Sequence, residues 1–141
     1  MDGWNGMVKN LLEKDIQARI GEQNYFVEVS WRNGTLIMDE PVALEGKDLG
    51  PDPYTTLLAS LAGCTLSTLR MYIHRKGWDI PEINVSLNMH QTLEPLHTTI
   101  RRNIEFPGLM NKEMKDRLLV VATKCPVSKI LENKITIQTT V

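Results

Sequence analysis

Two side chains in this sequence can do thiol chemistry, Cys64 and Cys125, and the chain has no other cysteine. Each reads two ways. Cys64 shares a helical face with Leu57 and Leu61, and Ala59, Ser60, Ala62 and Gly63 surround it with small side chains. It is either a small hydrophobe in a tight core or a nucleophilic thiol. Gly63 inside a helix costs about 1 kcal/mol relative to Ala, so its presence predicts that another backbone comes close. Cys125 falls on the apolar face of a second helix and directly precedes Pro126. If Pro126 opens a new helix, Cys125 lies near its N-terminus, where the dipole favours a thiolate; a core cysteine is again the alternative. The pair is more informative than either member. Two helices that each turn one thiol inward are the arrangement of a peroxidatic and a resolving cysteine. The two stand 61 residues apart, so any proximity has to come from the fold.

A buried thiol normally has a raised pKa and reacts slowly, so a reactive Cys64 needs a cation. Arg19 and Arg32 sit in or beside strand-like runs. Arg102 falls on the apolar face of its own strand, between Ile100 and Ile104, and is the oddest of the three by pattern. A solvated arginine is the other reading of each. His74, His90 and His97 show no metal-ligand spacing and read as surface or strand residues; no metal and no bound cofactor is expected. Glu45–Gly50 contains glycine without the phosphate-loop pattern and reads as a turn. Trp4, Trp31 and Trp78 are scattered, which suits packing rather than a stacking platform.

These side chains need elements to hold them. Residues 1–14, with Val8, Leu11 and Leu12 loosely at helical spacing, read as a short helix or an arm, and residues 15–141 as one domain. From Asp15 the apolar period is two: Ile16–Ile20 alternates, as does Tyr25–Trp31. Asn33-Gly34 then predicts a hairpin turn into a third strand, Thr35–Met38. Asp39–Asp52 reads as a loop. Asp52-Pro53 is a helix start and Gly77 a stop, so a helix is predicted to about Lys76, closed by Arg70, His74, Arg75 and Lys76 near its end. Two further strands follow, over Ile83–His90 and Thr98–Phe106. Asn111 caps a second helix through Lys124, with Met114, Leu118, Val121, Ala122 and Cys125 on one face. Val127–Leu131 is a short helix, and Ile135–Val141 alternates as a final strand. The order βββαββα(α)β predicts an α+β domain with mostly antiparallel pairing.

Composition sets the outer bounds. A chain of 141 residues makes about one domain and buries roughly 70% of its unfolded surface. Hydrophobic residues at 42% and charged residues at 23% are ordinary for a globular protein and exclude a disordered tail, a collagen or a disulfide-dense mini-protein. A net charge of −1 lacks the footprint of a nucleic-acid binder, so no nucleic-acid partner is expected. The N-terminus has no apolar signal region. The uncharged stretch Pro53–Leu69 is short of the roughly 20 mostly apolar residues a bilayer needs and reads as a buried helix, so no membrane is expected. Two cysteines without an export signal imply a reducing, cytoplasmic compartment.

The segments Gly46-Lys47-Asp48-Leu49-Gly50-Pro51-Asp52-Pro53-Tyr54 and Leu57-Leu58-Ala59-Ser60-Leu61-Ala62-Gly63-Cys64-Thr65 resemble the signature of the OsmC/Ohr family. Thr68–Tyr72 with Arg75–Trp78 resembles one OsmC-like subgroup, and Lys124–Leu131 resembles the family's second-cysteine motif. The resemblance covers residues 15 to 141. It implies an OsmC-like fold in an intertwined homodimer, with two long helices central and each sheet completed by the partner. It also implies reduction of organic hydroperoxides, with Cys64 as peroxidatic thiolate, Cys125 as resolving thiol, and an external dithiol or lipoyl-type reductant. The family's polarising arginine comes from the N-terminal strands; Arg19 is the candidate and Arg32 the reserve. The peroxidases carry a Glu ten residues before the first Cys to hold that arginine. Tyr54 occupies that position here, so another group would have to hold it.

Three functions compete at this stage. The first is a dimeric two-cysteine peroxidase preferring alkyl peroxides, because the surroundings of Cys64 are apolar. The second is a non-catalytic small-molecule or lipid-binding dimer with structural cysteines, for which Tyr54 is the main support. The third is a redox sensor whose disulfide switches a partner interface.

Overall fold

A computed structural model describes residues 9–108 and 110–141. The readings of Val8 and Trp4 lie outside them; residues 9–14 carry no helix. The chain forms two compact units, one up to Thr56 and the other Leu57–Val141.

The first unit holds an antiparallel sheet in the order β1-β2-β3: β1 Gln17–Ile20, β2 Val27–Trp31 and β3 Gly34–Met38. The alternation predicts β2 from Tyr25, but Tyr25 has φ 67° and turns the chain before the strand begins. The β2–β3 hairpin is present with its turn one residue earlier than predicted. Trp31 pairs with Gly34, which leaves Arg32 and Asn33 at the turn. A Cβ on Gly34 would lie 2.5 Å from Trp31 Cζ2, so the glycine makes room for the indole ring rather than supplying a left-handed turn.

The segment after β3 is a loop organised by one carboxylate. Asp39 is buried and accepts from the N–H groups of Glu40 at 2.8 Å, Lys47 at 3.3 Å and Leu49 at 3.2 Å. Gly46 passes so close to the Glu40 carbonyl that a Cβ would stand 1.9 Å from its oxygen. The Asp39 N–H donates to the Pro51 carbonyl, closing the loop just before the next helix.

Helix α1, Pro53–Lys76, has the predicted bounds. Asp52 caps it, accepting from the Thr55 N–H at 3.3 Å and from the Thr55 hydroxyl. Gly77, at φ 69°, ends it: its N–H donates to the His74 carbonyl, and the Trp78 N–H donates to the Ile73 carbonyl. Length and composition alone would let α1 cross a bilayer. Its inner face nevertheless buries Leu61, Thr65, Leu69, Tyr72 and Ile73. The expectation of a buried helix is corrected outside that stripe: Leu57, one turn before Leu61, and Met71 are exposed. Among the described residues, nothing outside its own stretch of helix stands within 4 Å of a Cβ built at Gly63. The described residues bury α1 along one stripe only, and Gly63 is off it.

In the second unit a two-stranded antiparallel hairpin follows, β4 Asn84–Leu93 and β5 Leu96–Glu105. Val85, Leu87 and Met89 face inward opposite Ile104, Arg102 and Ile100. Helix α2, Lys112–Ala122, is capped by Asn111, whose side chain accepts from the Met114 N–H. Helix α3 is Pro126–Leu131. The core joins Leu69, Tyr72, Ile73 and Ile80 to Leu118, Val121 and Ala122, with Met114 packed beside them. The α2 face read from the spacing is therefore the buried one. The predicted last strand is corrected: residues 135–141 belong to no strand, and Ile135, Ile137 and Val141 are exposed. Alternation specifies a strand only where a neighbour supplies the ladder, and among the described residues these seven find none. The observed class is α+β with antiparallel sheets.

Candidate functional site

Helix α1 carries Cys64 in its middle, and the α2–α3 junction carries Cys125. Leu61 and Leu69 anchor α1 in the core, Leu118 and Ala122 anchor α2, and Cys125 follows on the same face as these two. The fold so brings together two thiols that sequence distance keeps apart. Neither is in a disulfide; Cys64 is half-buried and Cys125 fully buried.

Cys125 is the N-cap of α3, Pro126 its first helical residue and Ser128 its third. Proline has no N–H, so the first donors of α3 come from Val127 and Ser128. The Val127 N–H donates to Cys64 Sγ at 3.5 Å. That bond ties α1 at Cys64 to the start of α3, two residues beyond Cys125.

The pair is electrostatically uneven. Burial pushes the Cys64 thiol up, and its hydrogen bond to Cys125 pushes it further. Burial opposes a thiolate at Cys125 as well. Hydrogen bonds from Cys64, from the backbone and hydroxyl of Ser128 and from the Val127 N–H outweigh that burial, and Cys125 falls below the ordinary thiol value.

The structure distributes the candidate arginines unequally. Arg102 Nη1 donates to Thr65 Oγ1 and to Ser128 Oγ, each at 2.8 Å, which joins β5 to the helices bearing both cysteines. Arg19 lies on β1 in the first unit, and its guanidinium pairs with Glu28 across the strands at 2.5 Å. Arg32 is exposed at the β2–β3 turn. Tyr54 is exposed at the second position of α1. The three histidines are exposed. Among the described residues no group of three or more His, Cys, Asp and Glu could hold a metal ion.

Thr65 and Ser128 escaped the sequence reading. Ser128 had a usable signal, since a side chain at the third helical position reaches back to the N-cap. Thr65, adjacent to Cys64 and fully buried, had none beyond its position. A cavity of about 570 Å³ is lined by Leu61, Ile100 and Leu131 and by the polar side chains of His97, Thr98, Arg102, Ser128 and Glu132. The arrangement can present two free thiols from neighbouring elements, with a cavity of mixed polarity at Ser128.

Residues 46–140 match the family described as OsmC-like protein. No curated protein matches. Solved structures share the fold at low identity. A protein from Psychrobacter arcticus named for osmotic stress and detoxification is 20% identical, with a TM-score of 0.70 over 82% of this chain and 85% of that one. The organic hydroperoxide resistance protein OsmC of Legionella pneumophila is 20% identical, with a TM-score of 0.66 over 87% and 91%. The organic hydroperoxide resistance protein OhrB of Bacillus subtilis is 19% identical, with a TM-score of 0.61 over 82% and 87%.

Proposed function

The chain belongs to the OsmC-like protein family, and from that premise we propose that it is a thiol-dependent peroxidase that reduces organic hydroperoxides with Cys64 and Cys125. The observation that carries this reading is the hydrogen bond from the Val127 N–H to Cys64 Sγ, which sets the half-buried Cys64 against the start of α3, where the fully buried Cys125 is the N-cap, in a chain with no other thiol. Cys64 is the sulfur a peroxide can reach. It attacks the distal peroxide oxygen, the S–O bond forms as O–O breaks, and an alcohol leaves. Cys125 then attacks the Cys64 sulfenic acid, S–S forms, and water leaves. An external dithiol, lipoyl-type or other, restores both thiols. The names of the Legionella and Bacillus relatives, both organic hydroperoxide resistance proteins, point to the same substrate class. A homodimer is part of the proposal: it would cover Leu57, Gly63 and Met71 on α1 and give residues 135–141 a neighbour.

The reduced protein is mixed with stoichiometric cumene hydroperoxide and free thiols are counted over time, with Cys64→Ser and Cys125→Ser in parallel. Rapid loss of two thiols per chain, abolished by Cys64→Ser, is expected. Survival of both thiols in excess peroxide would overturn the reading and turn attention to ligands of the cavity.

A further inference from the structure

Arg102 stands on the inward row of β5, opposite Leu87 and between Ile100 and Ile104. It is half-buried, and among the described residues no carboxylate pairs with it. Two neutral hydroxyls fix it instead: Nη1 donates to Thr65 Oγ1 and to Ser128 Oγ, each at 2.8 Å. Thr65 is itself held, since its hydroxyl donates to the Leu61 carbonyl at 2.7 Å. A guanidinium fastened at one nitrogen has lost much of its rotamer freedom, and its charge is still unneutralised. Both hydrogens of Nη1 are used. The remaining donors, on Nε and Nη2, form the side-on edge of the fork and bond to no group among the described residues. Neither is sealed off, because among the described residues no buried side-chain nitrogen or oxygen lacks a partner. Arg102 lines the cavity of about 570 Å³ together with three apolar side chains, Leu61, Ile100 and Leu131. The other titratable groups of that lining are the exposed His97 and Glu132.

We propose that this cavity binds an aliphatic monocarboxylate, its carboxylate on the open edge of Arg102 and its apolar body against Leu61, Ile100 and Leu131. The site is separate from the thiol chemistry proposed above and stands whether or not that chemistry does. A charge withdrawn from water without an opposite one is costly, and an anion from solution neutralises Arg102 where no side chain does. A carboxylate presents two oxygens at the spacing of the Nε and Nη2 hydrogens. A bidentate pair of that kind is stronger and more directional than a single contact. Glu132 decides between anions. Its carboxylate repels a doubly charged phosphate about twice as strongly as a singly charged carboxylate, and one guanidinium neutralises only the latter. The volume is in the range of small-molecule sites. Three apolar side chains cover a body of about six carbons rather than a long chain.

Hexanoate is titrated by calorimetry into the reduced full-length protein near neutral pH, without peroxide, with hexanol and hexyl phosphate in parallel. Hexanoate is expected to bind with a Kd of about 1 mM. Hexanol, which has no charge, and hexyl phosphate, which has two, should each bind about tenfold more weakly. Arg102→Met should weaken hexanoate about tenfold, and Arg102→Lys, which keeps the charge but not the fork, should recover only part of that loss. Glu132→Gln should tighten hexanoate about threefold. Glu132 is exposed, so this variant carries the test should Arg102→Met fail to fold. No binding of hexanoate at about 20 mM overturns the proposal, as does an affinity unmoved by Glu132→Gln or by a folded Arg102→Met. Hexanol bound as tightly as hexanoate would make the cavity merely apolar, and hexyl phosphate bound more tightly would make it a phosphate site; either result overturns it too.

Discussion

The loop around Asp39 and the pair of Cys64 with Cys125 are both knots of buried polar atoms, built to opposite ends. Asp39 accepts three backbone N–H groups from its own loop, and each hydrogen belongs to an amide that cannot release it. Gly46 is pressed against a carbonyl, so the path of the loop admits no side chain there. At the cysteines the donors converge on sulfurs, and one of their hydrogens is itself ionisable. The first knot fixes a shape, and the second sets an ionisable thiol against the start of a helix capped by another. Burial and hydrogen bonding alone do not mark a chemical site; a hydrogen able to move does.

Four changes probe the contrast. Asp39→Ala leaves three amide donors without their acceptor and should cost about 3 kcal/mol of stability, read by urea denaturation. A loss below about 1 kcal/mol would show that water replaces the carboxylate, and the loop would no longer be a locked structure. Thr65→Val keeps the shape but removes one of the two acceptors of Arg102. It should cost about 2 kcal/mol of stability, read in the same denaturation.

Cys125→Ser tests the proton itself. In the native pair the first proton should leave below the ordinary thiol value of about 8.5 and the second above it, since Cys125 is pulled down and Cys64 pushed up. Raising the pH from acid therefore gives two steps. Cys125→Ser should erase the lower one and leave Cys64 titrating at or above the ordinary value, with about tenfold less thiolate at pH 7. A surviving low step would assign the thiolate to Cys64. Asn111→Ala serves as the control in the same unit. It removes the α2 cap and about 1 kcal/mol of stability, and the thiol titration should stay where it is.

Much of this architecture could be read from local chemistry. Asp52-Pro53 and Gly77 bound α1 because caps and stops act within a turn of the helix. The odd position of Arg102 was visible because a charge on an inward row breaks a period of two. What stayed hidden depends on contacts between distant segments. The β2–β3 turn moved by one residue because the Trp31 ring needs Gly34 beneath it. Asp39 reads as one more polar residue until the loop has folded back on it. Residues 135–141 alternate as a strand does, yet alternation cannot name a neighbour. The hydrogen bonds of Arg102 to Thr65 and Ser128 join residues 37 and 26 positions away in sequence, which no local pattern announces.

The 61-residue separation of the two cysteines has a thermodynamic side as well. A bond between sulfurs so far apart in sequence would close a loop taking in part of α1, the β4–β5 hairpin and all of α2. Closing it removes conformational freedom from the unfolded chain worth about 4 kcal/mol. The oxidised chain would then melt well above the reduced one. By linkage, each interaction that steadies the folded second unit also favours the bond, and a reductant must work against the packing of Leu69 and Leu118 as well as against sulfur.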